Sequence, residues 1–238
     1  MCQRVWENYK EKMIPRKIHY CRFGPKPLPK MVKKCLESWK EQLHDYELNL
    51  WNEHNSPMDI QFVQQAYSAK KYAFVSDYVR FWILYHHGGI YFDTDMFVLK
   101  NLDDLLKNRV FFGWETEERK NISCGVIGSI PNQSFICTIL KHYDSLHFNN
   151  DLIPELVIPR IVSRCYNEYI PKEEITIYPY DYFYPFPYEE KEAVSKFMQY
   201  RTKDTYAIHL WNVSWGTFKD KFRDRILYLI RKLSRKTK

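Results

Sequence analysis

Apolar and polar positions alternate over residues 17–24 (KIHYCRFG) and stop at Gly24, with PKPLP following, which predicts a strand and then a loop. Over residues 29–43, Met31, Cys35, Trp39 and Leu43 recur at helical spacing, and 46–51 (YELNLW) reads as a second strand. This β-α-β order predicts an α/β fold with a parallel sheet and right-handed crossovers. Residues 59–70 and 72–86 read as helices, the second stopped by Gly88 and Gly89. GIYFD then predicts a buried strand with Asp93 at or beyond its carboxyl end, and NLDDLL a short helix. Strands follow at 109–115 and 124–129, and an amphipathic helix at 132–146. The Tyr/Pro-rich stretch 175–190 cannot be regular throughout, because proline removes donors. TYAIHLWNVSW (205–215) reads as a strand running into a loop, and the remainder as helix. Without a repeat or a low-complexity linker, residues 1–217 form one domain and 218–238 a C-terminal helix.

Composition changes this picture in two places. Apolar residues make up 45% and charged residues 27% of 238, as a packed core requires, and 19 Tyr suggest either a Tyr-rich core or a surface that stacks on sugars. Residues 218–238 hold nine Lys or Arg and two Asp, which equals the whole net charge of +7. The domain is therefore neutral, which argues against a nucleic-acid-binding face and for a local electrostatic anchor. Phe218, Phe222, Ile226, Leu229, Ile230 and Leu233 fall on one stripe of that tail with a basic face opposite. Packing on the domain explains the stripe, whereas binding to an anionic membrane surface also explains the charge. Six scattered cysteines without a C-x-x-C read as reduced thiols of a cytosolic protein. The amino-terminal stretch has no apolar core of a signal peptide, and no run is long enough to span a bilayer.

Asp93 and Asp95 interrupt two apolar runs, Ile90-Tyr91-Phe92 and Met96-Phe97-Val98-Leu99. A buried carboxylate is costly unless a cation meets it. In an extended chain, alternate residues point to one side about 7 Å apart, so both acids can face one ligand. That ligand would lie outside a strand's carboxyl end, where parallel sheets bind. Such a pair suits Mg²⁺ or Mn²⁺, which can hold a diphosphate and neutralise the charge of its departure. A bare D-x-D is equally the mark of a solvated turn. The preceding helix carries Ser76, Asp77 and Arg80, the last two at i, i+3 spacing. On a surface such a pair is worth little. Here Phe74, Tyr78, Phe81, Trp82 and Tyr85 make the helix largely apolar, so the pair is expected to face a cleft. There Arg80 could bond sugar hydroxyls or diphosphate oxygens, and Asp77 hydroxyls. His209 lies between Ile208 and Leu210, which suits a core histidine, but the neighbouring Ser214-Trp215 favours a ligand.

IPRKIHYCRFG…PLP, SDYVRFWILYHHGGIYFDTD and AIHLWNVSW together resemble glycosyltransferase family 32 over roughly residues 14–215. The family includes bacterial capsule and lipopolysaccharide sugar transferases and Och1-like mannosyltransferases, and is similar to the catalytic domains of the clostridial glucosylating toxins. The resemblance implies a single GT-A (Rossmann-like) domain with a mixed, mostly parallel sheet, a nucleotide-sugar donor, a divalent ion and retention of anomeric configuration. It implies that Asp93 and Thr94 contact the donor, that Asp93, Asp95 and His209 serve the metal, and that Ser76, Asp77 and Arg80 hold the transferred sugar. It places His19 and Tyr20 by the base and Ser214 and Trp215 over the diphosphate. Arg22 stands where the family usually has a Trp that stacks on the base, a role a guanidinium can also fill. Tyr182, Phe183 and Tyr184 read either as a rigid loop or as an acceptor-side wall.

The expected protein is thus a retaining, Mn²⁺- or Mg²⁺-dependent hexosyltransferase. A UDP-hexose is the expected donor and a lipid-linked capsule or O-antigen oligosaccharide the acceptor, at the cytoplasmic face of the plasma membrane. The alternatives are a protein acceptor or a non-catalytic sugar-binding scaffold.

Overall fold

The computed structural model describes residues 13–212. Ser214, Trp215 and the predicted helix at 218–238 lie outside the described residues. Six strands form one sheet: β1 (Lys17–Cys21), β2 (Glu47–Trp51), β3 (Gly89–Phe92), β5 (Val110–Trp114), β6 (Ile122–Ser129) and β7 (Ile175–Tyr178), in the order β2-β1-β3-β6-β5-β7. β1 pairs parallel with β2 and β3, and β5 parallel with β7, while β6 runs antiparallel to both its neighbours. The sheet is mixed and mostly parallel, as the family resemblance implies; the strand-helix order alone predicts parallel pairing and does not foresee the reversed β6. Its strands alternate sides. Tyr91, Phe112 and Ile127 face a layer of helices, α2 (Gln61–Ser68), α3 (Tyr72–His87), α4 (Ser134–Asp144) and α6 (Ile158–Glu168). Ile90, Phe92, Phe111 and Val126 face the other layer, built from α1 (Lys30–Gln42), the turn around Leu102–Leu106 and the segment around Phe183. Burial on both faces accounts for the unbroken apolar runs of β3 and β6.

A second, two-stranded ribbon pairs β4 (Met96–Val98) antiparallel with β8 (Ala207–His209). α1 fastens it: the Trp39 Nε1 donates to the Met96 carbonyl at 2.6 Å, and the Val98 N–H donates to Ser38 Oγ at 3.0 Å.

Three local expectations change. The D-x-D is not extended: Asp93–Asp95 form a tight turn between β3 and β4, closed by the Met96 N–H donating to the Asp93 carbonyl at 3.1 Å. Residues 153–168, to which no element is assigned above, hold the short α5 (Ile153–Leu156) and α6, the latter with Ile158, Ile161, Val162 and Cys165 at helical spacing. Phe183 and Tyr184 are not an exposed wall; both are buried in the core, and only Tyr182 is partly open.

Candidate donor and metal site

The turn after β3 gathers the acids because the chain on either side is fixed. Gly88 and Gly89 have φ of +61° and +99°, and a Cβ on Gly89 would lie 2.8 Å from the Lys17 carbonyl oxygen, so α3 can reverse directly into β3 only through glycine. The Asp93 N–H donates to Gly125 O at 2.8 Å, setting the end of β3 against β6. A Cβ on Gly125 would come within 3.3 Å of Asp93 Oδ2, so a bare backbone there leaves the carboxylate its place.

Behind Asp93 lies a buried charge network. Arg80, 4% exposed, donates to Asp77 Oδ1 at 2.8 Å, to the Cys124 carbonyl at 2.7 Å and to the Ser76 carbonyl at 3.2 Å, and stands 3.3 Å from Asp93 Oδ1. Its guanidinium lies 4.5 Å from the centre of the Tyr91 ring, whose hydroxyl donates to the same Asp93 oxygen at 3.1 Å. One cation thus serves two carboxylates. Burial pushes the Asp77 carboxyl up to about 7, against the pull of Arg80 and helped by Asp93. Arg80 does not face an open cleft; it stands behind Asp93 and fixes it. Ser76 donates its hydroxyl to the Tyr72 carbonyl at 3.2 Å.

Asp95 is held from β8. Its Oδ1 is 3.1 Å from His209 Nε2, and its Oδ2 accepts the Asn212 N–H at 2.6 Å. Burial works against the Asp95 charge, but His209 and the Asn212 N–H outweigh it and hold the carboxyl below its ordinary value. Burial likewise works against a charged His209, and Asp95 outweighs it and raises the imidazole. Asp93, Asp95 and His209 offer ligand atoms within 4.8 Å of one another. His209 Nδ1 is buried without a hydrogen-bond partner among the described residues. Two carboxylates and an imidazole fit Mn²⁺ or Mg²⁺. Thr94, half-buried, is the middle residue of the turn.

The other predicted residues lie along β1 and just past its carboxyl end, with distinct surroundings. His19 is 2% exposed; its Nε2 donates to Gly88 O at 3.0 Å and its Nδ1 accepts from Trp51 Nε1 at 3.1 Å, so it staples β1 to β2 and to the end of α3. Burial lowers its pKa to about 4. Tyr20, half-buried, meets Trp39 edge-on at 5.4 Å, and Arg22 donates to the Lys26 carbonyl. Sequence reasoning missed Tyr91 and Trp211. Trp211 lies 4.2 Å from the His209 ring and donates from Nε1 to Phe186 O at 2.6 Å. The i, i+2 relation of Tyr91 to Asp93 within one strand was the signal available for the first.

Residues 29–112 match the family described as a glycosyltransferase sugar-binding region containing a DXD motif. The chain is 27% identical to the glycosyltransferase L373 of Acanthamoeba polyphaga mimivirus over 86% of its length and 84% of that protein. It is 30% identical to the mannosyl phosphorylinositol ceramide synthase SUR1 of Saccharomyces cerevisiae over 67% of its length, and spans only 44% of that relative. Among solved structures, PaToxG glycosyltransferase superposes with a TM-score of 0.53 at 17% identity, covering 97% of this chain and 93% of that one. A mixed sheet that delivers a D-x-D turn at the carboxyl end of a parallel strand defines a GT-A glycosyltransferase, a class that uses a nucleotide-sugar donor and a divalent metal. The chain is a glycosyltransferase of the DXD-containing type.

Proposed function

We propose that the protein transfers a hexose from a UDP-sugar, with retention of configuration and with Mn²⁺, to a lipid-borne acceptor such as a capsule or O-antigen oligosaccharide intermediate. The observation that carries this reading is the convergence of Asp93, Asp95 and His209 at the carboxyl end of β3. A cation held there supplies charge neutralisation for the departing diphosphate. The chain's own residues do the rest. Arg80 and Tyr91 orient Asp93 through its Oδ1, and His209 and the Asn212 N–H fix Asp95. The C1–O bond to the diphosphate breaks, the acceptor oxygen bonds to C1 on the same face, and its proton passes to the departing phosphate oxygen. No protein base is required. Tyr20 and Arg22 border the base, and Ser214 and Trp215 cover the diphosphate. The name of the yeast relative, a mannosyl phosphorylinositol ceramide synthase, supports a lipid acceptor and places mannose among the candidate sugars. In this reading the basic tail at 218–238 holds the enzyme to the inner face of the plasma membrane.

The test is a panel of nucleotide sugars, UDP-hexoses and a mannosyl nucleotide among them, assayed for release of the nucleoside diphosphate with Mn²⁺ and with EDTA. One donor should be hydrolysed, and only with metal. A folded, Mn²⁺-binding protein that hydrolyses none is a sugar-binding scaffold.

A further inference from the structure

Between Arg22 and Leu36 the chain carries five cations, Arg22, Lys26, Lys30, Lys33 and Lys34, and no acid. The four lysines are exposed, and none pairs with a carboxylate among the described residues. This run leaves the carboxyl end of β1, the sheet edge that also presents Asp93, since β1 and β3 are parallel. Its far end stays beside the site: Met31 packs in one cluster with Trp211, the ring against His209.

The run is a built platform. Pro25, Pro27 and Pro29 fix φ at alternate positions. Arg22 clamps the Lys26 carbonyl, and the Gly24 N–H is held by Glu53 Oε1 at 2.6 Å, which also accepts the Tyr67 hydroxyl at 3.2 Å. Glu53 is therefore spent on the loop's backbone and not on its cations. Lys30, Lys33 and Lys34 also occupy the opening turns of α1, which has no acid in its first turn. A helix's amino end favours anions and disfavours cations. Three lysines there oppose the stability of α1, and no carboxylate among the described residues forms an ion pair with them.

We infer that the Arg22–Lys34 platform docks on an anionic lipid surface and turns the donor site toward it. Charge complementarity selects the partner, and a pre-ordered loop loses little freedom on binding. The inference is consistent with a lipid-borne acceptor but is read without one, so it can fail while the proposed transfer stands.

The experiment compares the full chain with the variant Lys30→Glu/Lys33→Glu/Lys34→Glu in sedimentation with phosphatidylcholine vesicles, with and without phosphatidylserine. On anionic vesicles at low salt the variant should bind on the order of 100-fold more weakly, at about fivefold per lysine. Its thermal midpoint should rise, because acids now sit at the amino end of α1. Metal-dependent donor hydrolysis should keep its KM. Lys→Gln counterparts should lie between the two for both readouts. Equal binding of wild type and variant to anionic vesicles overturns the inference. So does a raised KM for the donor without loss of vesicle binding, which would give the lysines to the donor diphosphate.

Discussion

At the scale of single residues, the two aspartates of the D-x-D are held by different partners and should fail differently. Asp95 has both oxygens engaged, by His209 and by the Asn212 N–H. Asp95→Asn keeps an acceptor for that N–H but removes the charge. Metal-dependent turnover should fall more than about 100-fold, a loss beyond that of an outer-shell change, with Mn²⁺ affinity falling in parallel by calorimetry. Arg80 carries a structural load as well. Removing it leaves Asp77 and Asp93 facing each other without a cation, so Arg80→Met should destabilise the fold by about 3–5 kcal/mol, or roughly 10 °C in thermal midpoint. Adding Asp77→Asn should recover part of that loss, and a double-mutant cycle by thermal denaturation reads the coupling. A surface ion pair would give no coupling. The sequence made the charges of this network legible, since acids and an arginine inside apolar runs need one another. It did not make the direction of Arg80 legible: i, i+3 spacing fixes a helix face, and the packing of α3 against β6 decides what that face meets.

At the scale of elements, strand and helix assignments followed the apolar period wherever glycine or a clear alternation bounded them. They left α5 and α6 unassigned, although Ile158, Ile161, Val162 and Cys165 fall at helical spacing; the prolines of both helices sit in their first turns, where the missing N–H costs nothing. The D-x-D turn was misread as extended because β3 and β4 are both apolar and no glycine or proline separates them. His19 is the element-scale staple with a measurable pH signature. Neutral imidazole suits its two contacts, a donor toward Gly88 O and an acceptor toward Trp51 Nε1–H. Protonation would bring two N–H groups together, and burial already lowers the pKa to about 4. The folded state then binds fewer protons than the unfolded state between about 6.5 and 4, so this contribution to stability is whole above the upper value and is lost as pH falls through the window. The loss amounts to about 3 kcal/mol. Asp77, raised to about 7, runs with the opposite sign, since its folded form holds a proton that the unfolded chain releases. The His19 share is therefore the difference between wild type and His19→Gln in chemical denaturation at pH 7 and pH 4: the wild type should lose more stability on acidification. Parallel pH profiles would remove His19 from this role.

At the scale of the whole molecule, the α/β class and the position of the site at the sheet's edge were legible, because they rest on element order and on one strand's end, while the sheet's mixed direction came only with the family resemblance. The ribbon was legible only in part: β8 falls in the strand read at 205–215, but nothing in the apolar run after Asp95 marks β4 as its partner. The charge distribution supplies the fourth prediction. Removing residues 218–238 takes the formal charge from +7 to zero. Binding to anionic vesicles should weaken and become less salt-dependent, the remainder belonging to the Arg22–Lys34 platform, while donor hydrolysis persists. Unchanged sedimentation would return the tail to a packing role. The ribbon also sets an order of events in the chain's making. Asp95 is satisfied by partners 114 and 117 positions further along. A nascent chain that has emerged through Phe112 already displays the whole segment matched to the DXD-containing family, yet its second carboxylate has nothing to hold it. Only when Asn212 has left the ribosome can the centre close, so a chain cut short before it carries the motif with its second carboxylate unheld.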